Sequence, residues 1–405
     1  MPIVVQKYGG SSVANAERIK HVAQRIARTC DEGNQVVAVV SAMGDTTDHL
    51  IDLAQQITPS PEPRELDLLL STGEIVSCTL VAMALQALGY QAVSLSGGQA
   101  GIRTDTAHTK ARITGLDPKR IHKELEHGCI VIVAGFQGVT EDLDITTLGR
   151  GASDLTAVAL AAGLKADRCE IYTDVEGIFT ADPRLVSQAR KLKEIGYEEM
   201  LELASLGAKM QPRSIELAAV YNVPVLVKSS FVEAPGTLIH GGASMEVRNK
   251  VQGVAADRDV AKITVLGVPD RPGIAASLFG SLAEEGVSVD TIVQNASVDR
   301  VTDVTFTVSR RDLRRAIKTV EHVAKNIGAK GYVSDDKLAK VSIVGTGMLN
   351  APGVAATMFR TLYEAGINIE MITTSEIRIT CIVAEDKVPA AVQALHAAFK
   401  LNEEQ

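Results

Sequence analysis

Ile3-Val4-Val5-Gln6-Lys7-Tyr8-Gly9-Gly10-Ser11-Ser12 opens the chain's first periodic stretch. Its β-branched run predicts a strand, and the Ile19, Val22, Ala23, Ile26 spacing beyond it predicts a helix. Between them, two glycines let the backbone approach a ligand closely, and a helix N-terminus offers unpaired N–H groups to an anion. Lys7 at the strand end adds a cation suited to phosphate oxygens. A plain tight turn would use the same residues, so this element alone does not decide between the two. It is not a Walker A loop, because no GxxxxGK[ST] occurs in the chain.

Similar short runs follow at 36–41, 92–95, 130–134, 170–173 and 225–228. They are apolar almost throughout, as strands covered on both faces of a mainly parallel sheet must be. Val158, Leu160, Ala161 and Leu164 again recur at helical spacing. Strand and helix in alternation predict an α/β/α sandwich up to about residue 240. Pro59, Pro61 and Pro63 predict a surface loop. The pattern dissolves over 235–252, which sets a domain boundary there. A chain of 405 residues needs more than one core in any case.

Beyond the boundary the sequence repeats itself. Ile263-Thr264-Val265-Leu266-Gly267, Pro272-Gly273-Ile274-Ala275-Ala276 and Gly286-Val287-Ser288-Val289-Asp290 return as Val341-Ser342-Ile343-Val344-Gly345, Pro352-Gly353-Val354-Ala355-Ala356 and Gly366-Ile367-Asn368-Ile369-Glu370. Further strands are expected at 304–308 and 376–383. Two copies with the order β-α-β-β-α-β predict two small ferredoxin-like α+β domains. The layout is therefore 1–245, 260–335 and 338–405.

Composition narrows the function. The net charge of −8 argues against a nucleic-acid partner. The basic group Arg310, Arg311, Arg314, Arg315 and Lys318 reads as a solvated helix face. Cys30, Cys78, Cys129, Cys169 and Cys381 lie far apart without a CxxC pair, so reduced thiols in the cytosol are expected. The N-terminal apolar run is too short for a signal peptide or membrane span.

Three more clusters end predicted strands or open helices, where open α/β sheets bind ligands. They are Ser41-Ala42-Met43-Gly44-Asp45-Thr46-Thr47, Gly135-Phe136-Gln137-Gly138, and Thr147-Leu148-Gly149-Arg150-Gly151-Ala152-Ser153-Asp154. Arg150 can grip a carboxylate bidentately. Asp154 suits either a site or the first turn of a helix, which favours an acid.

KYGGSS at 7–12, SAMGDTTD at 41–48, Thr72-Gly73-Glu74, AGFQG at 134–138, TTLGRGASD at 146–154 and YTDVEGIFTADPR at 172–184 resemble the aspartate kinases of the amino-acid kinase family. The resemblance runs on through EEMLELASLGAKM at 198–210 to TTSEIRI at 373–379, over essentially the whole chain. Ala152 departs from it, since a second glycine is expected there.

The resemblance implies that ATP, with Mg²⁺, phosphorylates aspartate. It implies that Lys7 and Asp154 are catalytic, with Asp154 organising the lysine and metal region. Lys7, Tyr8, Gly9, Gly10, Ser41, Ser153, Tyr172, Thr173, Ile178, Phe179, Thr180, Ala181, Asp182, Pro183 and Lys209 would line the nucleotide site. Thr47, Glu74, Arg150, Gly151, Ala152 and Ser153 would hold aspartate, with Glu74 on its ammonium and Arg150 on its α-carboxylate. No protein side chain is named as a metal ligand, because Mg²⁺ is expected on phosphate oxygens and water. A carboxylate acceptor is already ionised at neutral pH, so the eight scattered histidines need supply no general base.

Each repeat resembles an ACT domain, a module that pairs side by side and binds amino acids at the seam. The resemblance implies effector contacts from Asp270, Pro272, Gly273, Ala275, Ser288, Val289, Asp290 and Gln294 in the first copy. In the second it implies Val354, Ala355, Asn368, Ile369 and Ser375. Lysine, threonine or both are the expected inhibitors, and a homodimer or larger assembly through the ACT domains is expected. Met245 marks a place where some relatives start a separate small regulatory subunit. The rival readings are another amino-acid kinase, or an amino-acid sensor without catalysis.

Overall fold

The computed structural model describes residues 1–241, 251–295, 301–348 and 351–403; Met245 lies outside them. The chain divides into two units, Met1–Phe179 with Lys191–Met245, and Thr180–Arg190 with Glu246–Gln405. Thr180–Arg190 thus belongs with the second unit, although the sequence pattern runs the first domain unbroken to 245.

The first unit is built on an eight-stranded sheet. Its order is Glu194–Gly196, Thr237–His240, Val225–Ser229, Arg168–Thr173, Ile3–Tyr8, Gln35–Val40, Ile130–Ala134 and Ala92–Leu95. All neighbours are parallel except Val225–Ser229 against Thr237–His240. One face receives Ala16–Asp31 and Pro63–Ala87, whose Ile19, Val22, Ile26, Val81 and Leu85 pack on Val36, Ala38, Val40 and Ile132. Ser153–Leu164 lies against the same central strands, buried along nearly its full length. That is why the strands read as apolar almost throughout.

Gln6 is the exception inside the first strand, fully buried but saturated. It donates to Thr29 Oγ1 at 2.9 Å and Glu170 Oε2 at 2.8 Å, and accepts from the Tyr8 hydroxyl at 3.1 Å. A buried amide so paired costs little.

Two local expectations change. Pro63 is not in the loop but begins the 25-residue helix Pro63–Ala87, where its missing N–H has no intrahelical partner to lose. A second sheet of four short strands, Ile113–Leu116, Ile102–Thr104, Gln137–Val139 and Ile145–Thr147, stands beside the strand ends. Gln137-Gly138, read as loop, is therefore strand.

In the second unit the two copies share one six-stranded sheet. The order is Ile292–Gln294, Val301–Val308, Gly253–Pro269, Gly331–Val344, Arg378–Ala384 and Met371–Thr374. The two central strands pair from Gly253 opposite Val344 to Leu266 opposite Gly331, with register shifts between Asp257 and Lys262. Residues 253–257 thus pair with 340–344 of the second copy, while 261–269 pair with 301–308 of the first. The copies are interleaved rather than strung in series.

Their cores match position for position. Ile274, Leu278, Leu282 and Val287 are buried in one copy, and Val354, Met358, Leu362 and Ile367 in the other. Arg311, Arg314, Arg315 and Lys318 are exposed as expected. Arg310 is half-buried and donates to Glu385 Oε2 at 2.8 Å and Leu338 O at 2.9 Å.

Candidate active site

Parallel pairing brings the ends of adjacent strands to one edge of the sheet, and the loops that leave them are stitched together. The Ser41 N–H donates to Tyr8 O, Gly135 N–H to Val40 O, and Gly44 N–H to Gly10 O. Gly10 has no room for a side chain, since a Cβ would stand 2.8 Å from Ala42 O. At Gly135 a Cβ would stand 2.8 Å from Ser153 Oγ. Phe136 beside it takes φ +68°, an unusual conformation for a bulky residue, held by its N–H on Thr156 Oγ1 at 3.1 Å.

Two contacts cross this edge. Lys7 Nζ lies 2.7 Å from Asp154 Oδ1, with both side chains almost fully buried. Ser41 Oγ donates to Ser153 Oγ at 3.0 Å. Ser153 and Asp154 form the first turn of their helix, where an acid is favoured, and that turn lies beside the Lys7 ammonium. A fixed cation beside glycine backbone and a helix start is an anion cradle.

Glu74 enters from the middle of Pro63–Ala87. Gly73 lets that helix press against the 41–44 loop; a Cβ there would meet Ala42 Cβ at 2.9 Å. Glu74 Oε1 accepts from Ala42 N–H at 3.2 Å, while the buried Oε2 accepts no hydrogen bond. Burial pushes its carboxyl up to about 7. An unsatisfied buried carboxylate oxygen is suited to an incoming cation such as an ammonium.

Arg150 sits between Gly149 at φ +93° and Gly151 at φ +74°, and its largely exposed guanidinium pairs with Asp48. Thr47 is on the same helix as Asp48, Thr46–Ile57. Ala152 is fully buried among Leu70, Phe136, Leu148 and Leu155, so a packed methyl stands where glycine was expected.

The nucleotide residues divide. Tyr8 and Tyr172 are core side chains, stacked at 4.8 Å, so their side chains do not line a pocket; Tyr172 O instead accepts from Gly9 N–H. Thr173 ends its strand, and Lys209 Nζ holds Asp174 at 2.9 Å. Ile178 N–H donates to Thr237 Oγ1, and Phe179 bridges to Lys191. Thr180, Ala181, Asp182 and Pro183 fall in the second unit, where Thr180 Oγ1 meets His396 Nε2 at 2.9 Å and Ala181 is core.

In the second unit Gly273 and Gly353 take φ +94° and +95° just before matching helices. Asp270, Pro272, Ala275, Ser288, Gln294, Asn368 and Ser375 are exposed, whereas Val289, Ala355 and Ile369 are half-buried. Val354 is a core side chain, so it can offer an effector only backbone. Asp290 pairs with Lys340, and Glu370 with Lys262 at 3.0 Å.

Two residues at the first site carry no mark that the sequence reading used: Asp67 and Arg213. The one available signal was that Asp67 and Glu74 are the only acids in the apolar body of Pro63–Ala87, two turns apart on one face.

Comparison with known proteins agrees on the family and the fold. The amino acid kinase family matches residues 2–229, and the ACT domain matches 263–323 and 341–399. An aspartokinase of Mycolicibacterium smegmatis is 52% identical over 99% of this chain and 97% of its own. Escherichia coli aspartokinase III, solved with aspartate and ADP in its R-state, is 26% identical at TM-score 0.83, covering 98% of this chain and 99% of that one. The same enzyme with lysine and aspartate in its T-state gives 27% and 0.75 over 98% and 99%. A strand-end anion cradle followed by interleaved ACT repeats thus places the chain among the aspartate kinases, phosphotransferases of the amino acid kinase family.

Proposed function

We propose that the chain transfers the γ-phosphoryl group of ATP to the β-carboxylate of L-aspartate, giving 4-phospho-L-aspartate and ADP, the first step toward lysine, threonine and methionine. The observation that carries this reading is the Lys7–Asp154 pair at 2.7 Å beside Gly9-Gly10. A carboxylate oxygen forms the new bond to phosphorus while the bond to the leaving ADP oxygen breaks. No proton leaves the acceptor, so positioning and charge neutralisation are the whole task. Lys7 meets the charge on the phosphoryl oxygens, and Asp154 holds the ammonium in place. Glu74 Oε2 receives the aspartate ammonium. Arg150 exchanges Asp48 for the aspartate α-carboxylate, with Thr47 beside it. Ser41 and Ser153 stand near the transferred group, and Lys209 belongs to the nucleotide edge.

Mg²⁺ would neutralise phosphate charge when bound. It would be carried on phosphate oxygens and water, and Asp154 is the carboxylate that would meet a water on it.

Lysine, threonine or both act as feedback inhibitors at the ACT repeats, and the lysine-bound T-state relative supports lysine. Coupling of about 1–3 kcal/mol between sites is typical of such regulation. A homodimer or larger assembly forms through the repeats, whose outer strands Ile292–Gln294 and Met371–Thr374 each leave one backbone edge without a strand partner among the described residues. The five free thiols suit a cytosolic enzyme.

The test is ADP production dependent on aspartate, measured with lysine and threonine added separately and together. Turnover without aspartate dependence overturns the substrate, and indifference to both amino acids overturns the regulation.

A further inference from the structure

Asp67 is fully buried, yet its carboxylate is saturated from a single direction in the chain. Oδ1 accepts from the Thr147 hydroxyl at 2.5 Å and from Thr109 N–H at 3.1 Å. Oδ2 accepts from Thr109 N–H and meets His108 Nδ1, both at 2.9 Å. All four contacts come from two segments, 108–109 and Thr147. Thr109 is in the left-handed region at φ +67°, which this carboxylate stabilises by gripping its N–H with both oxygens.

Thr147 is the last strand residue before Gly149-Arg150-Gly151. The next residue is held from the other side. The Arg213 guanidinium donates to Leu148 O at 2.8 Å and to Ala111 O at 3.1 Å, while Ala111 N–H donates to Thr147 O. Leu148 N–H is taken by Phe136 O at 2.9 Å. Every polar group of Thr147-Leu148 that these bonds reach is fixed just where the two-glycine hinge begins.

We infer that Asp67 and Arg213 are positioning residues for the amino-acid substrate, setting where Arg150 starts its reach relative to Glu74. The geometry is direct. Asp67 and Glu74 project from one face of one helix, two turns apart, so that helix both carries the ammonium receptor and anchors the base of the guanidinium's hinge. The span between the two substrate groups is then set by a rigid element rather than by a glycine loop. Such a span selects an amino acid by the distance from its ammonium to its carboxylate. This rests on the aspartate-binding roles given above to Glu74 and Arg150.

The experiment is initial-rate kinetics on Thr147→Val, Asp67→Asn and Arg213→Lys, with Glu74→Gln and Arg150→Ala in the same series. Thr147→Val removes one donor and leaves the carboxylate three contacts, so it remains informative should Asp67→Asn fail to fold. Asp67→Asn must turn an amide or lose an acceptor against the fixed Thr109 N–H. The expected result is a KM for aspartate raised about threefold in Thr147→Val and about tenfold in Asp67→Asn and Arg213→Lys. KM for ATP should stay within about twofold, a split that general destabilisation does not produce. Normal aspartate KM in these three, with Glu74→Gln and Arg150→Ala impaired, overturns the positioning role and leaves the substrate assignment standing. Normal aspartate KM in Arg150→Ala overturns the assignment and the positioning role with it.

Discussion

The first unit pairs Lys7 with Asp154 once, with side chains 12% and 8% exposed. The second pairs its charges twice. Lys262 and Lys340 occupy the same position in the two repeats, as do Asp290 and Glu370, and each lysine reaches the acid of the other copy. There the acids are open to water, 37% exposed at Glu370 and 51% at Asp290. A closed pair is costly to break, because the survivor is a stranded charge. An open pair is screened, and its partner is easily replaced by solvent. The first arrangement suits chemistry that needs a fixed charge; the second joins two halves reciprocally.

The largest effect should follow from Lys7→Ala, which removes the cation and strands Asp154. Turnover should fall by roughly 10²-fold or more, the scale of a lost charge-stabilising donor. Near-normal kcat would make the closed pair merely structural. Asp154→Asn should lower kcat less, by about tenfold, since Lys7 stays but loses its anchor. Single-turnover assays separate that from slow product release.

Glu74 sharpens the contrast, because it is a closed charge with one oxygen still unpaired. Its carboxyl is raised by burial to about 7 from an ordinary 4.5. Aspartate binding requires the ionised form, so KM for aspartate should fall as pH rises through about 7 and then level off. Glu74→Gln should raise that KM about tenfold and flatten its pH profile. Stability runs the other way. A raised folded pKa means that the native state favours the protonated acid, so its contribution is full below about 4.5 and is lost as pH rises toward 7. Unliganded Glu74→Gln should therefore be the more stable protein at pH 8, by on the order of 2 kcal/mol, with the gap closing toward pH 5. Urea denaturation at both pH values checks it; a gap that widens in acid refutes the burial account.

The same contrast governs what the sequence could convey. Strand ends of a covered parallel sheet announce themselves, because an apolar run stops at Lys7-Tyr8-Gly9-Gly10 or Ser41, and the fold then gathers those stops. The repeat was equally visible, but its interleaving was not. Gly253–Pro269 is one strand, yet Asp257, Arg258 and Asp259 lie near its middle where the register shifts, and three polar residues there look like a break. The strands Ile102–Thr104 and Gln137–Val139 are too short to carry a period of two. Tyr8 and Tyr172 belong to motifs at the site, but a side chain alternates faces along a strand, and theirs point into the core. Asp67 is acidic on an apolar helix face, and only its partners from 108–109 and 147 explain it.

The smallest effect belongs to the crossed pairs. Lys262 lowers the Glu370 carboxyl by hydrogen bonding, and at Asp290 Lys340 more than offsets the upward push of burial. A depressed folded pKa gives stability that is present above the free carboxylate range and lost as pH falls through the folded value. Lys262→Met and Lys340→Met should therefore each cost under about 1 kcal/mol at pH 7, and less as pH falls through the folded values of the two acids. Aspartate and ATP kinetics without added amino acid should be unchanged in both. Because the two pairs share no residue, the double variant should lose about the sum of the singles. Urea titrations of the four proteins at pH 7 and in acid decide it. A loss of several kcal/mol from one lysine, or a double variant far from additive, would mean that the two pairs act as one closed unit, and the distinction from Lys7–Asp154 would fail.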